Sequence, residues 1–190
     1  MNGASLALAL LGATALAGAT RGARASVRRQ DEEIYRQAGD GVDLRAESGD
    51  ALSVLLSYAD AIWMDRGLFF GLEAEEGEPE EDYDQRVLEA AVEALYDSGV
   101  APNEPVVDFR YLQISPGARG AGEGRRAVER AEAYARRQGY RVVMLVAAEL
   151  DEEKGHPLSF WHHMGYAELP GVYDPLLADR IMLKTLWERP

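Results

Sequence analysis

The chain reads as an α/β domain, a sheet flanked by helices, and three adjoining stretches carry that reading. Val106-Val107-Asp108-Phe109-Arg110-Tyr111-Leu112-Gln113-Ile114 is rich in β-branched and aromatic residues and partly alternates, as a half-buried strand does. Ser115 to Gly124 then delivers several glycines into a run in which Ala127, Val128, Ala131, Tyr134 and Ala135 recur at helical spacing. Gly139 stands where a C-terminal cap belongs, so a helix of about five turns is expected. Arg141 to Ala148 is a continuous apolar run of strand length, the pattern of a strand buried on both faces. At 190 residues the chain can bury one good core, and a single domain over residues 30–190 is expected.

Upstream, the elements read as follows. Leu6 to Ala19 is an uncharged Ala/Leu/Gly run, shorter than the roughly 20 apolar residues of a spanning helix. Ala23-Arg24-Ala25 resembles a signal cleavage site, but no Lys or Arg precedes the run, so residues 1–29 are read as tail, anchor or signal, with all three open. Gln30 to Gln37 is a short polar helix candidate. Over Gly41 to Glu73, Leu52, Leu55, Leu56, Ala59, Ile62 and Trp63 fit one helix face with Asp50 as N-cap, although Ser48-Gly49-Asp50 could equally turn a hairpin. Leu68 to Leu72 is a strand candidate. An acidic loop from Glu73 leads through Pro79 into a helix carrying Val87, Leu88, Ala91, Val92 and Leu95, with Gly99 past its end.

A strand feeding glycines into a helix start leaves bare N–H groups at the positive end of the helix dipole, where a phosphate is stabilised. Gly122 and Gly124 are not followed by Lys-Ser/Thr, which excludes a Walker loop, and Arg125 stands where a dinucleotide fingerprint needs its third glycine. What remains, Arg119-x-x-Gly122-x-Gly124 behind Ile114-x-Pro116, resembles motif A of the GNAT superfamily of N-acetyltransferases. Pro157 to Tyr166 is similar to that family's short helix of the form Ala-x-x-Phe-Tyr-x-x-Leu-Gly-Phe, and Ile181 to Leu186 to its closing strand. The resemblance covers roughly residues 104–187. It implies a mixed, largely antiparallel sheet with strands splayed at an acyl-CoA site, residues 30–103 on the acceptor side and 104–190 on the coenzyme A side.

Composition bounds the chemistry. Without cysteine there is no disulfide, thiolate zinc site or Cys nucleophile, and His156, His162 and His163 lack a carboxylate pattern, so no metal is expected. The net charge is −13, with 20 acidic and 4 basic groups in residues 31–100, whereas eight arginines lie between Arg110 and Arg141. That local reversal suits an anionic cofactor, while the field of the whole chain disfavours nucleic acid.

The resemblance implies acetyl-CoA as cosubstrate, a primary amine as acceptor and a cytoplasmic enzyme, with membrane contact confined to the N-terminal segment. Cofactor contacts are expected from Leu112, Gln113, Ile114, Arg119, Gly120, Ala121, Gly122, Glu123, Gly124 and Arg125. Amine acetylation needs a base, backbone donors and an acid. Asp108 is the candidate base: six residues before Ile114, it should share that residue's strand face, and desolvation would raise its pKa. Trp161 replaces the family's acidic tyrosine, and its indole cannot donate a proton at neutral pH. His162, Tyr166 and Tyr173 are the substitutes by proximity. A non-catalytic acyl-CoA-binding or interaction module, membrane- or virion-associated, is the alternative.

Overall fold

A computed structural model describes residues 32–61, 66–147, 157–173 and 179–187. The chain divides into Met1–Glu32 and Glu33–Pro190, so the tail, anchor or signal readings lie outside the described residues, as do Ile62, Trp63 and His156. No helix among the described residues is long and apolar enough to cross a membrane.

Strand β1 (Glu32–Gly39) stands where a polar helix was expected. The overlooked signal is Asp40-Gly41, whose φ values of 52° and 79° make the tight turn that joins β1 to β2 (Val42–Asp50) as a hairpin. Helix α1 (Ala51–Ala61) follows at once, and the side chain of Asp50 accepts a hydrogen bond from the Ser53 N–H at 2.9 Å, the N-cap the sequence offered. Leu68 to Leu72 does not form the expected strand. Arg66–Phe70 is a 3₁₀ turn closed by Leu72 N–H to Gly67 O at 2.8 Å, with Phe69 and Phe70 turned into the core. Helix α2 (Glu80–Asp97) carries three acids in its first turn and buries Val87, Ala91, Ala94 and Leu95.

The second half follows the expected order: β3 (Pro105–Ile114), α3 (Glu123–Arg137), β4 (Val142–Ala147), α4 (Pro157–His163) and β6 (Arg180–Thr185), with β5 (Ala167–Tyr173) as an addition. The helix is fifteen residues long, about four turns rather than five.

The six strands form one mixed sheet in the order β1-β2-β3-β4-β6-β5. Pairing is antiparallel for β2 with β3, β4 with β6 and β5 with β6, and parallel for β3 with β4. Strand alternation sends successive side chains into two cores. Val142 and Met144 pack with α1, α2 and the 3₁₀ turn on one face, whereas Val143, Leu145 and Ala147 pack with α3 and α4 on the other. Because β4 is covered on both faces, it reads as an uninterrupted apolar run.

Candidate active site

The site is built where β3 parts from its parallel neighbour. Pairing with β4 covers only Val106–Val142, Val107–Val143 and Asp108–Met144, although both strands continue beyond. On its other side β3 stays paired with β2 as far as Ile114, and Ser115 N–H bonds Gly41 O at 2.7 Å. Counting back by the alternation of an antiparallel ladder, Gln113 and Tyr111 direct their N–H groups toward β2, and Leu112 and Ile114 direct theirs into the gap left by β4. Of the three β3 positions expected at the cofactor, Leu112 and Ile114 therefore turn their N–H groups to the opening, whereas that of Gln113 faces β2.

Two turns of chain later the gap meets the head of α3. Its first i→i−4 bond is Arg126 N–H to Gly122 O at 3.1 Å, so the N–H groups of Glu123, Gly124 and Arg125 precede the intrahelical ladder. Gly122 is the N-cap at φ 79°, and Gly124 brings the helix start onto β3: a Cβ there would lie 2.3 Å from Ile114 Cδ1. Gly120 and Ala121 complete the turn, where Arg126 Nη2 donates to Ala121 O at 2.9 Å. Arg119 turns back to donate from Nε to Ile114 O at 3.2 Å, at the edge of the gap. Arg125 pairs with Glu129 at 2.7 Å across one turn, and Glu123 pairs with Arg126, which holds its carboxyl below the usual range.

Asp108 sits at the last paired position of the splay, but not on the expected face. The β2–β3 register shifts between Arg45–Tyr111 and Glu47–Asp108, so Phe109 and Arg110 together oppose Ala46 in a bulge. One extra residue inverts the parity of everything beyond it. Phe109 and Leu112 both pack on the α3 side and Ile114 meets Gly124 of α3, while Asp108 points the opposite way, toward Tyr58 of α1. The six-residue spacing therefore does not bring Asp108 and Ile114 to one face.

Asp108 is 1% exposed and held from two elements. Tyr58 donates its phenol proton to Oδ1, and the Arg110 Nε lies 2.5 Å from Oδ2. Burial first, and Asp108 second, push the Tyr58 phenol well above its ordinary pKa. Burial opposes the Arg110 charge, but Asp108, Tyr58 and Glu47 outweigh it and raise the guanidinium's pKa. Arg110 also reaches Glu47 Oε2 at 3.0 Å and Ser57 Oγ at 3.4 Å, and lies 5.7 Å over the Tyr58 ring. Tyr58, Arg110 and Glu47 escaped the sequence reading: Tyr58 scans as one more apolar residue of a helix, and the register that brings Glu47 opposite Asp108 spans sixty residues of chain.

The candidate acids occupy the other face. The Tyr166 phenol donates to Glu132 Oε1 of α3 at 3.1 Å and is pushed well above its ordinary pKa by burial, then by Glu132. Glu132 is itself 3% exposed and held by Lys184 Nζ at 2.9 Å and Arg136 at 3.2 Å. His162 is exposed and its Nε2 lies 3.0 Å from Glu168, which Arg180 also approaches at 3.4 Å. Neither Tyr166 nor His162 is brought to Asp108; the sheet lies between. Trp161 packs among Phe109, Phe160 and Tyr166 with ring centroids 6.3, 5.0 and 5.0 Å away, a core residue as its indole suggested. The Tyr173 side chain lies outside the described residues. No group of three or more metal-ligating side chains occurs among the described residues.

No family model and no curated protein matches the sequence. Among solved structures, Drosophila melanogaster polyamine N-acetyltransferase is similar at 12% identity and TM-score 0.45, over 78% of this chain and 72% of that one. Arabidopsis thaliana NAA60 in complex with acetyl-CoA is similar at 13% identity and TM-score 0.42, over 78% and 70%. An aminoglycoside 6'-N-acetyltransferase complexed with coenzyme A is similar at 19% identity and TM-score 0.39 over 45% of this chain, which spans 61% of that protein's length. The element order, the parted parallel strands and the glycine turn at the head of α3 give the chain a GNAT-like fold.

Proposed function

We propose that this protein transfers an acetyl group from acetyl-CoA to a primary amine by direct attack, without a covalent enzyme intermediate. The observation that carries the reading is the parting of β3 from β4 beside a glycine-built helix start. One element offers donors to a thioester and its pantetheine arm, the other to a pyrophosphate, and both follow from a single strand. Leu112 and Ile114 supply N–H groups to the gap, with Gln113 between them anchored to β2. Arg119, Gly120, Ala121, Gly122, Glu123, Gly124 and Arg125 form the anion-binding turn, in which the helix dipole adds to the bare N–H groups.

On the α1 side the Asp108–Arg110–Glu47 cluster carries one excess negative charge, which favours an ammonium acceptor. A carboxylate of this cluster, of which the sequence pointed to Asp108, is the base of the reading. Of the two expected acids, the exposed His162 is the one the reading offers to the departing thiolate, with water as the alternative, because Tyr166 is buried with its phenol donating to Glu132. The second reading, acyl-CoA binding without turnover, is favoured by Trp161, which occupies the position of the family's acid as a packed core residue.

Two measurements on the full chain separate these. Calorimetric titration with coenzyme A should show saturable binding that Gly122→Val removes while the circular dichroism spectrum stays folded. Acetyl-CoA with a panel of primary amines should release free thiol. Binding without thiol release selects the second reading, and absence of binding refutes both.

A further inference from the structure

Two carboxylates grip one guanidinium at the foot of the parted strands, and they differ in access. Asp108 is 1% exposed, sealed by Tyr58 from α1 and Arg110 from its own strand, with both oxygens engaged. Glu47, its register partner on β2, is 29% exposed and bonds Arg110 through Oε2. A base must touch the proton it removes, within hydrogen-bond reach or through one water. Of the two, Glu47 has the open oxygen.

Arg110 is what joins them. It lies two residues beyond Asp108, so strand alternation carries its side chain to the same α1 face, and the bulge inverts parity only for the residues that follow. There it meets Asp108, Glu47, Ser57 and the face of Tyr58 at once. The Arg110 Nε lies 2.5 Å from Asp108 Oδ2 and 3.0 Å from Glu47 Oε2, so the nitrogen anchored on the buried carboxylate is the one that holds Glu47. Nη2 reaches Ser57 Oγ and the plane lies over the Tyr58 ring, so the guanidinium's orientation is set by several contacts at once, which a lysine's compact ammonium does not reproduce.

We infer that Arg110, anchored on the buried Asp108, positions Glu47 as the carboxylate that meets the acceptor amine. The inference rests on the acetyl-transfer reading and assigns the proton within it. Glu47 takes one proton from the ammonium, and the neutral nitrogen forms a bond to the thioester carbonyl carbon. Collapse breaks the C–S bond, the nitrogen's surplus proton passes to the thiolate through solvent, and Glu47 returns its proton to water. Asp108 and Arg110 keep their charges throughout, and Tyr58 keeps its proton.

The test uses the full chain, acetyl-CoA and three probes, n-propylamine, 1,4-diaminobutane and glycinamide, with thiol release measured across pH. Glu47→Gln, at a half-exposed position, should lower kcat by roughly 10²–10⁴-fold and remove the acidic limb of kcat/KM, with coenzyme A affinity unchanged. Arg110→Gln should lower kcat by on the order of 10²-fold while the acidic limb remains, and Arg110→Lys should recover only part. Glu47→Gln with full rate and an intact limb overturns the inference, and if Asp108→Asn then loses both, Asp108 is the base and acetyl transfer stands. Thiol release absent from the unaltered chain with all three probes overturns the acetyl-transfer reading together with this one.

Discussion

Gly124→Ala should destabilise this protein, although replacing glycine by alanine in a helix ordinarily helps. The usual gain is about 1 kcal/mol, from the backbone entropy that glycine loses on folding. Here the added Cβ would stand 2.3 Å from Ile114 Cδ1, more than 1 Å inside van der Waals contact, whereas its distances to Ile114 Cγ1 and Phe160 Cζ, 3.5 and 3.7 Å, are ordinary. The conflict is thus with a single terminal methyl. Relieving it means an off-rotamer Ile114 or a helix start lifted from β3, and such overpacking typically costs about 1–3 kcal/mol. Set against the propensity gain, the net loss is about 0–2 kcal/mol.

Ile114→Val removes that methyl and leaves Cγ1 in place, at its own cost of about 0.5–1.5 kcal/mol. In the double variant the clash is gone and the propensity gain returns, so the pair should couple favourably by about 1 kcal/mol or more. Urea midpoints of the four proteins, at constant m, measure the cycle. Additivity within experimental error, or a Gly124→Ala variant more stable than the unaltered chain, would refute the claim that close helix-to-strand approach is why glycine stands there. Coenzyme A titrations on the same four proteins should track the clash, because a lifted helix start carries the turn's N–H groups with it.

Tyr58→Phe removes a phenol bond to a buried carboxylate and should cost about 1.5–3 kcal/mol by urea denaturation, with helix content unchanged. Tyr58 and Tyr166 both have folded pKa values raised above 10.0, so the native state retains protons that the unfolded chain gives up above that pH. Stability should be intact below the unfolded value and fall by about 1.4 kcal/mol per pH unit for each phenol as pH climbs through it. Urea midpoints between neutral pH and about pH 11 should show this, and Tyr166→Phe should flatten the fall by one phenol's share; an unchanged slope would exclude Tyr166 as its source. Lys184→Met takes the ammonium from the 3% exposed Glu132 and should cost about 3 kcal/mol, with Glu132→Gln in the same chain recovering part.

Local chemistry determined what the sequence by itself could declare. The apolar run of β4, the period of α2 and α3, the Asp50 cap and the glycine turn after β3 are each written within a dozen residues, and each formed where its pattern lies. So did the order of elements over the 104–187 stretch, because turn, helix, strand and short helix follow one another along the chain. Local signals failed where two patterns competed over a few residues. Gln30 to Gln37 carries too little apolar alternation to declare β1 without its Asp40-Gly41 turn, and Leu68 to Leu72 has strand composition in a stretch too short to pair.

Tertiary structure alone decided the charged cluster around Asp108. Parity along β3 is a local rule that one bulge cancels, and the bulge exists only in the register of β3 against a strand sixty residues earlier. That single inserted residue set Asp108 on the face opposite Ile114 and brought Glu47 into register with it, while Arg110, two residues along, shares the α1 face by ordinary alternation. Charge and periodicity describe a residue and its near neighbours, whereas a site of this kind is made by strands whose pairing energy is shared across the whole sheet. The glycine turn is contiguous in sequence and could be read there; the Asp108–Arg110–Glu47–Tyr58 cluster draws on β2, α1 and β3 and could not.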